Sequence, residues 1–309
     1  MIEVNHISKS YGQVQALDGL SLSIEPEQCY GLLGPNGAGK STALNILNTL
    51  IKPDSGHVSL FGFDLVSQNT QCKQITGMVP QDIALYGDLS AWDNLLFWAS
   101  INGLNRKQAK ERAEKLMKRV ELWTERKRAL KTFSGGMKRR INIIASLLHQ
   151  PKLLLLDEPT VGIDPHNRAT VYELVEELKK DGITIIYTSH YIEEMERLCD
   201  KLAIINLGKI LEEGSVAEIK KKSKQQQKMK VSISNWSEQL RHVVPEGFEV
   251  VHSGQQVALY TALNEGSNGE IVQNLQLIES LNEHISNIEI LKPNLESVFL
   301  ELTGSTLSE

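Results

Sequence analysis

The chain has 309 residues, 41% of them apolar and 23% charged, with 33 basic against 38 acidic side chains and a formal net charge of −5. At about 150 residues per domain this length predicts two folded domains, and the composition excludes disordered, collagenous and low-complexity classes. A net negative chain also argues against nucleic-acid binding over its whole surface, leaving only a local basic patch for such contacts.

In chain order, Met1-Ile2-Glu3-Val4 has no basic segment followed by an apolar one, so no secretory signal is expected and the chain is placed in the cytoplasm. Residues 2–7, 20–24 and 29–33 read as strands and 39–50 as the first long helix, the alternation of an α/β domain around a mainly parallel sheet. The charged, helically periodic stretch Arg106–Val120 marks an inserted helical subdomain at about 82–148. Strands return at 153–156, 183–187 and 202–205. The apolar runs 141–148 and 153–156 fall far short of the ~18 residues that cross a bilayer, so no membrane span is expected. Cys29, Cys72 and Cys199 lack metal-ligand spacing and are expected as reduced, buried thiols.

Six lysines, three glutamines and no acid between Lys220 and Lys230 form a solvated connector, which sets the expected domains at 1–222 and 223–309. Past it, residues 229–234, 248–253, 256–261 and 285–291 read as strands, with Ser253-Gly254 a turn, and 237–244 and 271–282 read as helices. That β-α-β-β-α-β order predicts a small split-βαβ domain. A closing helix at 295–302 carries the apolar stripe Leu295, Val298, Phe299 and Leu302, expected to dock on its own domain or on a second copy.

Two motifs carry chemistry. Gly34-Pro35-Asn36-Gly37-Ala38-Gly39-Lys40-Ser41 follows an apolar strand and opens a helix, as a phosphate-binding loop must. Its glycines let backbone N–H groups converge on anionic oxygens, Lys40 reaches the β- and γ-phosphates, and Ser41 offers a hydroxyl to Mg²⁺. Leu153-Leu154-Leu155-Leu156 runs into Asp157-Glu158, a buried strand that delivers two acids to its C-terminal edge, where ligands bind in such sheets. Asp157 is assigned to the Mg²⁺ shell through water, and Glu158 to polarising the water that attacks the γ-phosphate.

These residues resemble the nucleotide-binding subunits of ATP-binding-cassette (ABC) transporters. Phe133-Ser134-Gly135-Gly136-Met137 resembles the family signature Leu-Ser-Gly-Gly-Gln, departing at its first and last positions, with Ser134 capping the helix that follows and Gly135 and Gly136 allowing close approach to a phosphate. Gln81 in Val79-Pro80-Gln81-Asp82 is similar to the glutamine loop that reaches Mg²⁺ and moves with the membrane partner. His190 in Thr188-Ser189-His190 resembles the switch histidine at the γ-phosphate, or else is a solvent-facing loop residue. Asp164 in Gly162-Ile163-Asp164-Pro165 resembles the aspartate loop and is also a natural helix N-cap ahead of Pro165. Tyr11 is placed like the aromatic that stacks on adenine, or packs on the core.

The resemblance spans about residues 1–220 and implies an α/β P-loop NTPase cassette: a mainly parallel core sheet, an antiparallel β-subdomain and the helical subdomain. To these the chain adds its small α+β C-terminal domain. The implied cofactors are ATP and Mg²⁺. The implied catalytic residues are Glu158, His190 and Gln81, with Ser41, Gln81 and Asp157 at the metal. Implied nucleotide contacts are Tyr11, the loop from Gly34 through Pro35, Asn36, Gly37, Ala38, Gly39, Lys40 and Ser41 to Thr42, then Ser134, Gly135, Gly136 and Asp164. The ending Pro293–Gly304 resembles those of ATP-binding subunits of bacterial two-polypeptide exporters of drugs, antibiotics or lipids. This implies a homodimeric, magnesium-dependent ATPase at the cytoplasmic membrane face that powers a separate transmembrane permease, with no nucleic-acid partner. The alternative, a soluble ABC ATPase on ribosomes or nucleic acid, is disfavoured by a single cassette and the lack of sustained heptads.

Overall fold

A computed structural model describes residues 1–222, 227–234, 236–237, 240, 242–253, 256–263, 268–291 and 294–303. Its contacts divide the chain into two compact units that part after Ala217.

The first unit holds strands β1 (Ile2–Tyr11), β2 (Val14–Ile24) and β3 (Cys29–Leu33), helix α1 (Lys40–Leu47), β4 (Ser55–Leu60), β5 (Phe63–Asp64), α2 (Asn69–Ile75) and β6 (Thr76–Val79). It continues through α3 (Ala91–Ile101), α4 (Arg106–Arg119), α5 (Gly135–Ser146), β7 (Leu153–Asp157), α6 (Pro165–Lys180), β8 (Thr184–Ser189), α7 (Ile192–Leu198), β9 (Lys201–Asn206) and β10 (Lys209–Gly214). A six-stranded sheet runs in the order β10-β9-β3-β8-β7-β6, parallel throughout except at β10. Every residue of β3, β7 and β8 is buried, as expected of central parallel strands covered on both faces. A second, antiparallel sheet has the order β2-β1-β4-β5. One apolar core, including Ile2, Leu20, Leu44, Leu153 and Ile186, joins the two sheets.

Register decides what this frame can do. Leu33 pairs with Ser189, and Asp157 pairs with Thr188, so β3, β8 and β7 end side by side along one sheet edge. The loops that leave them carry Gly34–Gly39, His190 and Glu158.

The helical region has clear local causes. Asn105 caps α4 by accepting from the Lys107 and Gln108 N–H groups, while the Gln108 side chain accepts from the Asn105 N–H, a complete capping box. Ala109, Ala113 and Met117, four residues apart, form the buried stripe. The three cysteines are free thiols, and Cys29 and Cys199 lie with their sulfurs 4.0 Å apart. Among the described residues, no helix is long and apolar enough to cross a membrane.

The second unit is an antiparallel sheet of β11 (Gln227–Ile233), β12 (Glu249–Ser253), β13 (Gln256–Leu263) and β14 (Ile285–Leu291). Its order, β12-β13-β11-β14, places the first strand between the third and fourth, the split-βαβ arrangement. Met229, Val231, Leu259, Leu263, Ile278 and Leu281 form its core.

One detail of this unit differs from the sequence reading. The helix expected over 271–282 ends at Leu277 and gives way to a 3-10 segment, Glu279–His284. Three residues per turn bring Ile278 and Leu281 onto one face, and both are buried. Of the helix expected over 237–244, residues 238, 239 and 241 lie outside the described residues, and the remainder makes i to i+3 turn bonds at Leu240 and Val243. Gly254, Pro293 and Gly304 also lie outside the described residues. The closing helix runs Leu295–Thr303 and buries Leu295, Val298 and Phe299, while Leu302 is exposed.

Candidate active site

Residues 34–39 connect β3 to α1, and two of their glycines have no substitute. A Cβ on Gly34 would sit 2.3 Å from Ile205 O, and one on Gly39 would sit 2.5 Å from Ala16 O. Gly39 also has φ of +107°, outside the range of L side chains. The loop is thus clamped between β9 and β2, with backbone N–H groups of α1 unpaired at its start.

Lys40 opens α1 and is 4% exposed. Its Nζ donates to Gly34 O at 2.7 Å and Pro35 O at 3.1 Å, and lies 3.0 Å from Glu158 Oε1. The other carboxylate oxygen, Oε2, accepts from His190 Nδ1 at 3.1 Å. With a carboxylate as partner, the hydrogen-bond network assigns the proton to Nδ1. Glu158 therefore bridges the phosphate-loop lysine and His190, and is itself 6% exposed. The placement excludes a freely solvated His190, whose ring also stacks at 4.1 Å on Tyr191.

The neighbouring acid is held differently. Thr188 Oγ1 donates to Asp157 Oδ1 at 2.8 Å and accepts the Glu158 N–H at 2.9 Å. One hydroxyl from β8 so fixes both acids of β7. Glu158 needs that hold, since its φ of +43° lies in the left-handed region that non-glycine residues avoid. Asp157 Oδ2 accepts no hydrogen bond from any described residue. Thr188 stood in the sequence beside His190, but nothing in its spacing announced the contact.

Several other expected residues lie at the surface. Ser134 caps α5 by accepting from the Met137 N–H at 3.2 Å, and Phe133 is buried beneath the Arg128 guanidinium. The two signature glycines differ. A Cβ on Gly135 would meet its nearest neighbour at 4.0 Å, whereas one on Gly136 would lie 2.4 Å from Asn167 Cγ. The close approach expected of Gly136 toward a phosphate is thus taken, within this chain, by α6. Asp164 caps α6, accepting from the Asn167 N–H at 3.1 Å, with Pro165 at the first helical position. Tyr11 is 50% exposed at the end of β1, which rules out the core-packing alternative. Asn36, Gly37 and Ser41 are exposed, with Pro35 and Thr42 half-buried and Ala38 buried.

Gln81 is exposed, and its side chain makes no hydrogen bond to a described residue. Its carbonyl, however, is gripped by Arg139 Nη2, while Nη1 donates to Pro80 O at 2.7 Å. Arg139 is 3% exposed, and burial pulls its pKa down. A cavity of about 270 Å³ adjoins this loop, lined by Thr76, Met78, Pro80, Trp98, Asn142 and His149 among others. Thr76 Oγ1, Trp98 Nε1, Asn142 Nδ2 and His149 Nδ1 are buried there without a hydrogen-bond partner. None of the expected catalytic residues lines it.

Comparison with known proteins bears on this geometry. A family model described as ABC transporter matches residues 17–161. Over the full length of both chains, the protein is 39% identical to the linearmycin resistance ATP-binding protein LnrL of Bacillus subtilis. It is 33% identical to the Nod factor export ATP-binding protein I of a Rhizobium species, over 100% of this chain and 98% of that one. Among solved structures it is similar to the ATP-binding subunit of an ABC transporter, at 27% identity and TM-score 0.65 over 72% of this chain and 92% of that one. A dimeric, post-hydrolysis ATP-binding cassette bound to ADP and Pi matches at 25% identity and TM-score 0.63, over 70% of this chain and 98% of that one.

Proposed function

The chain belongs to the ABC transporter family of ATP-binding subunits, and on that premise we propose that it hydrolyses ATP as half of a head-to-tail homodimer and drives a separate membrane permease. Export of a drug, antibiotic or lipid is the favoured task, because full-length relatives are named for linearmycin resistance and Nod factor export.

The observation that carries the reading is the contact chain from Lys40 through Glu158 to His190 at the end of a glycine loop. ATP phosphates lie against the loop N–H groups, and the Lys40 cation turns from Glu158 and the loop carbonyls toward the γ-phosphate. Glu158 Oε1 is then released to accept the proton of the attacking water, while His190 steadies Oε2. Ser41, Asp157 and Gln81 are hard oxygen donors of the kind Mg²⁺ takes, and the free Oδ2 of Asp157 fits that role. Bound Mg²⁺ would neutralise polyphosphate charge. Among the described residues no three His, Cys, Asp or Glu side chains cluster as a protein-only metal site, which suits an ion held largely by nucleotide and water.

Exposed Ser134 and Gly135, at the start of α5, are assigned to the partner subunit's nucleotide, as are contacts near Asp164. Tyr11 is assigned to the adenine, against which its exposed ring can stack. The cavity beside Pro80, with its four unsatisfied polar atoms, is assigned to the permease, which would place the subunit peripherally at the cytoplasmic membrane face. Residues 223–309 are assigned to regulation or dimer stabilisation.

The test is magnesium-dependent ATP turnover by the purified full chain, together with its recovery from detergent-solubilised membranes. A copurifying integral membrane protein that raises turnover on reconstitution is expected. Recovery with ribosomes or nucleic acid, or a chain without turnover, would overturn the assignment.

A further inference from the structure

Besides Asp157 and Glu158, one more carboxylate is buried among the described residues of the first unit, that of Glu194 in α7, which is 1% exposed. Three hydroxyls converge on it. Thr160 Oγ1 donates to Oε1 at 2.5 Å, Tyr172 OH donates to Oε1 at 2.9 Å, and Tyr187 OH donates to Oε2 at 2.9 Å. Among the described residues no Lys, Arg or His stands within ion-pair distance of it.

The donors come from three places that bracket the reacting groups. Thr160 lies two residues past Glu158, in the loop leaving β7. Tyr187 is in β8, three residues before His190, and Glu194 follows His190 by four. Tyr172 adds an anchor from α6. Burying a carboxylate without a cation is costly, and only a full set of hydrogen bonds makes it tolerable. An apolar side chain would pack α7 on the sheet without that cost. What the carboxylate adds is direction: its two oxygens tie the loop after Glu158 to the strand and helix on either side of His190. Burial and the Glu194 charge also hold the Tyr187 hydroxyl well above its usual range, so it remains a donor.

We propose that Glu194 is a positioning residue for ATP hydrolysis, clamping the Glu158 loop and the His190 loop in mutual register through Thr160, Tyr172 and Tyr187. The inference rests on the ATPase reading. It also accounts for how Glu158 keeps its left-handed backbone, because the chain is fixed on both sides: by Thr188 at its own N–H and by Glu194 through Thr160.

The experiment measures kcat, KM for ATP and thermal stability for the full chain and for Glu194→Ala, Glu194→Gln and Thr160→Val. Misplacing reacting groups by a fraction of an ångström to one ångström predicts a kcat loss of about tenfold to 100-fold in Glu194→Ala. KM should hold, since the loop around Lys40 is untouched. Glu194→Gln, which keeps an acceptor for Thr160 and Tyr172, should recover part of the loss. Thr160→Val, nearly isosteric, should lower kcat in the same way, and it carries the test should Glu194→Ala fail to fold. Unchanged kcat with lowered thermal stability, or KM rising as far as kcat falls, would show a merely structural role and overturn the proposal. A full chain without turnover would instead overturn the ATPase reading beneath it.

Discussion

Glu158→Gln separates chemistry from binding most sharply. The substitution keeps shape and one acceptor but removes the charge that lies 3.0 Å from Lys40 Nζ and 3.1 Å from His190 Nδ1. Loss of a positioned general base lowers turnover by about 10² to 10⁴, which at 1.36 kcal/mol per decade is roughly 3–5 kcal/mol of barrier. Stability should suffer less. Removing one partner of a buried ion pair costs about 3–5 kcal/mol when the other charge is stranded. Here Lys40 retains Gly34 O and Pro35 O, so a loss nearer the roughly 1–3 kcal/mol of a weakened charged hydrogen bond is expected. ATP affinity should not fall, because a negative group beside the phosphates has been neutralised. Single-turnover hydrolysis, urea unfolding and nucleotide titration on one preparation check all three, and sizing chromatography with ATP and Mg²⁺ should show an accumulated dimer. Turnover near the wild-type rate, with the protein folded and ATP bound, would refute the role of Glu158 and the contact chain with it.

Lys40→Ala should instead weaken ATP itself, by about tenfold to 100-fold for one lost charged hydrogen-bond donor, and an unchanged affinity by titration would remove Lys40 from the phosphates. Gly136→Ala should destabilise the fold, since its methyl would collide with Asn167, whereas Gly135→Ala should leave thermal unfolding unchanged and impair only the ATP-dependent dimer; equal unfolding behaviour of the two would contradict the geometry. Burial holds the His149 pKa below its unfolded value, so the folded chain binds fewer protons and this residue's contribution falls as pH drops through the unfolded pKa of about 6.5. His149→Gln should flatten the acid limb of a stability-against-pH curve, and a slope unchanged from wild type would rule that out. A chain ending near Lys222 should fold and bind ATP but dimerise less well, and insolubility or loss of binding would show that the two units need one another.

Much of this was legible in the sequence because parallel strands and their loops have local signatures. Gly34–Ser41 needs only its own residues and a strand before it, and β7 is apolar up to the point where Asp157 and Glu158 emerge. The four strands of the second unit could be read from alternation alone, even where a helix boundary was misplaced at Leu277. Contacts across strands were not legible. Thr188 and Glu194 lie 31 and 36 residues from the acids they support, at a distance where spacing carries no signal. The close fit of Gly136 against Asn167 also depends on α5 meeting α6. Strands β4, β5, β6 and β10 were missed as well: Ser55–Leu60 is exposed over half its length, β6 is only four residues long, and no residue of Lys209–Gly214 is buried.

The placement of the expected residues also says how the site is divided. Lys40, Asp157, Glu158, Thr188 and His190 are linked by hydrogen bonds or ion pairs within one chain, along one edge of one sheet. Tyr11, Ser41, Gln81, Ser134 and Gly135 are exposed, and among the described residues no hydrogen bond or ion pair of their side chains reaches that group. A residue that binds a ligand between two surfaces must be exposed on each surface before they meet. A residue that moves a proton must instead have its geometry fixed beforehand, by neighbours that do not leave with the product. The buried group meets the second condition and the exposed group the first. On the proposed reading, the chain therefore carries a prearranged proton-accepting group and an incomplete nucleotide clamp, so dimerisation should change ATP residence and turnover without rebuilding the contacts around Glu158.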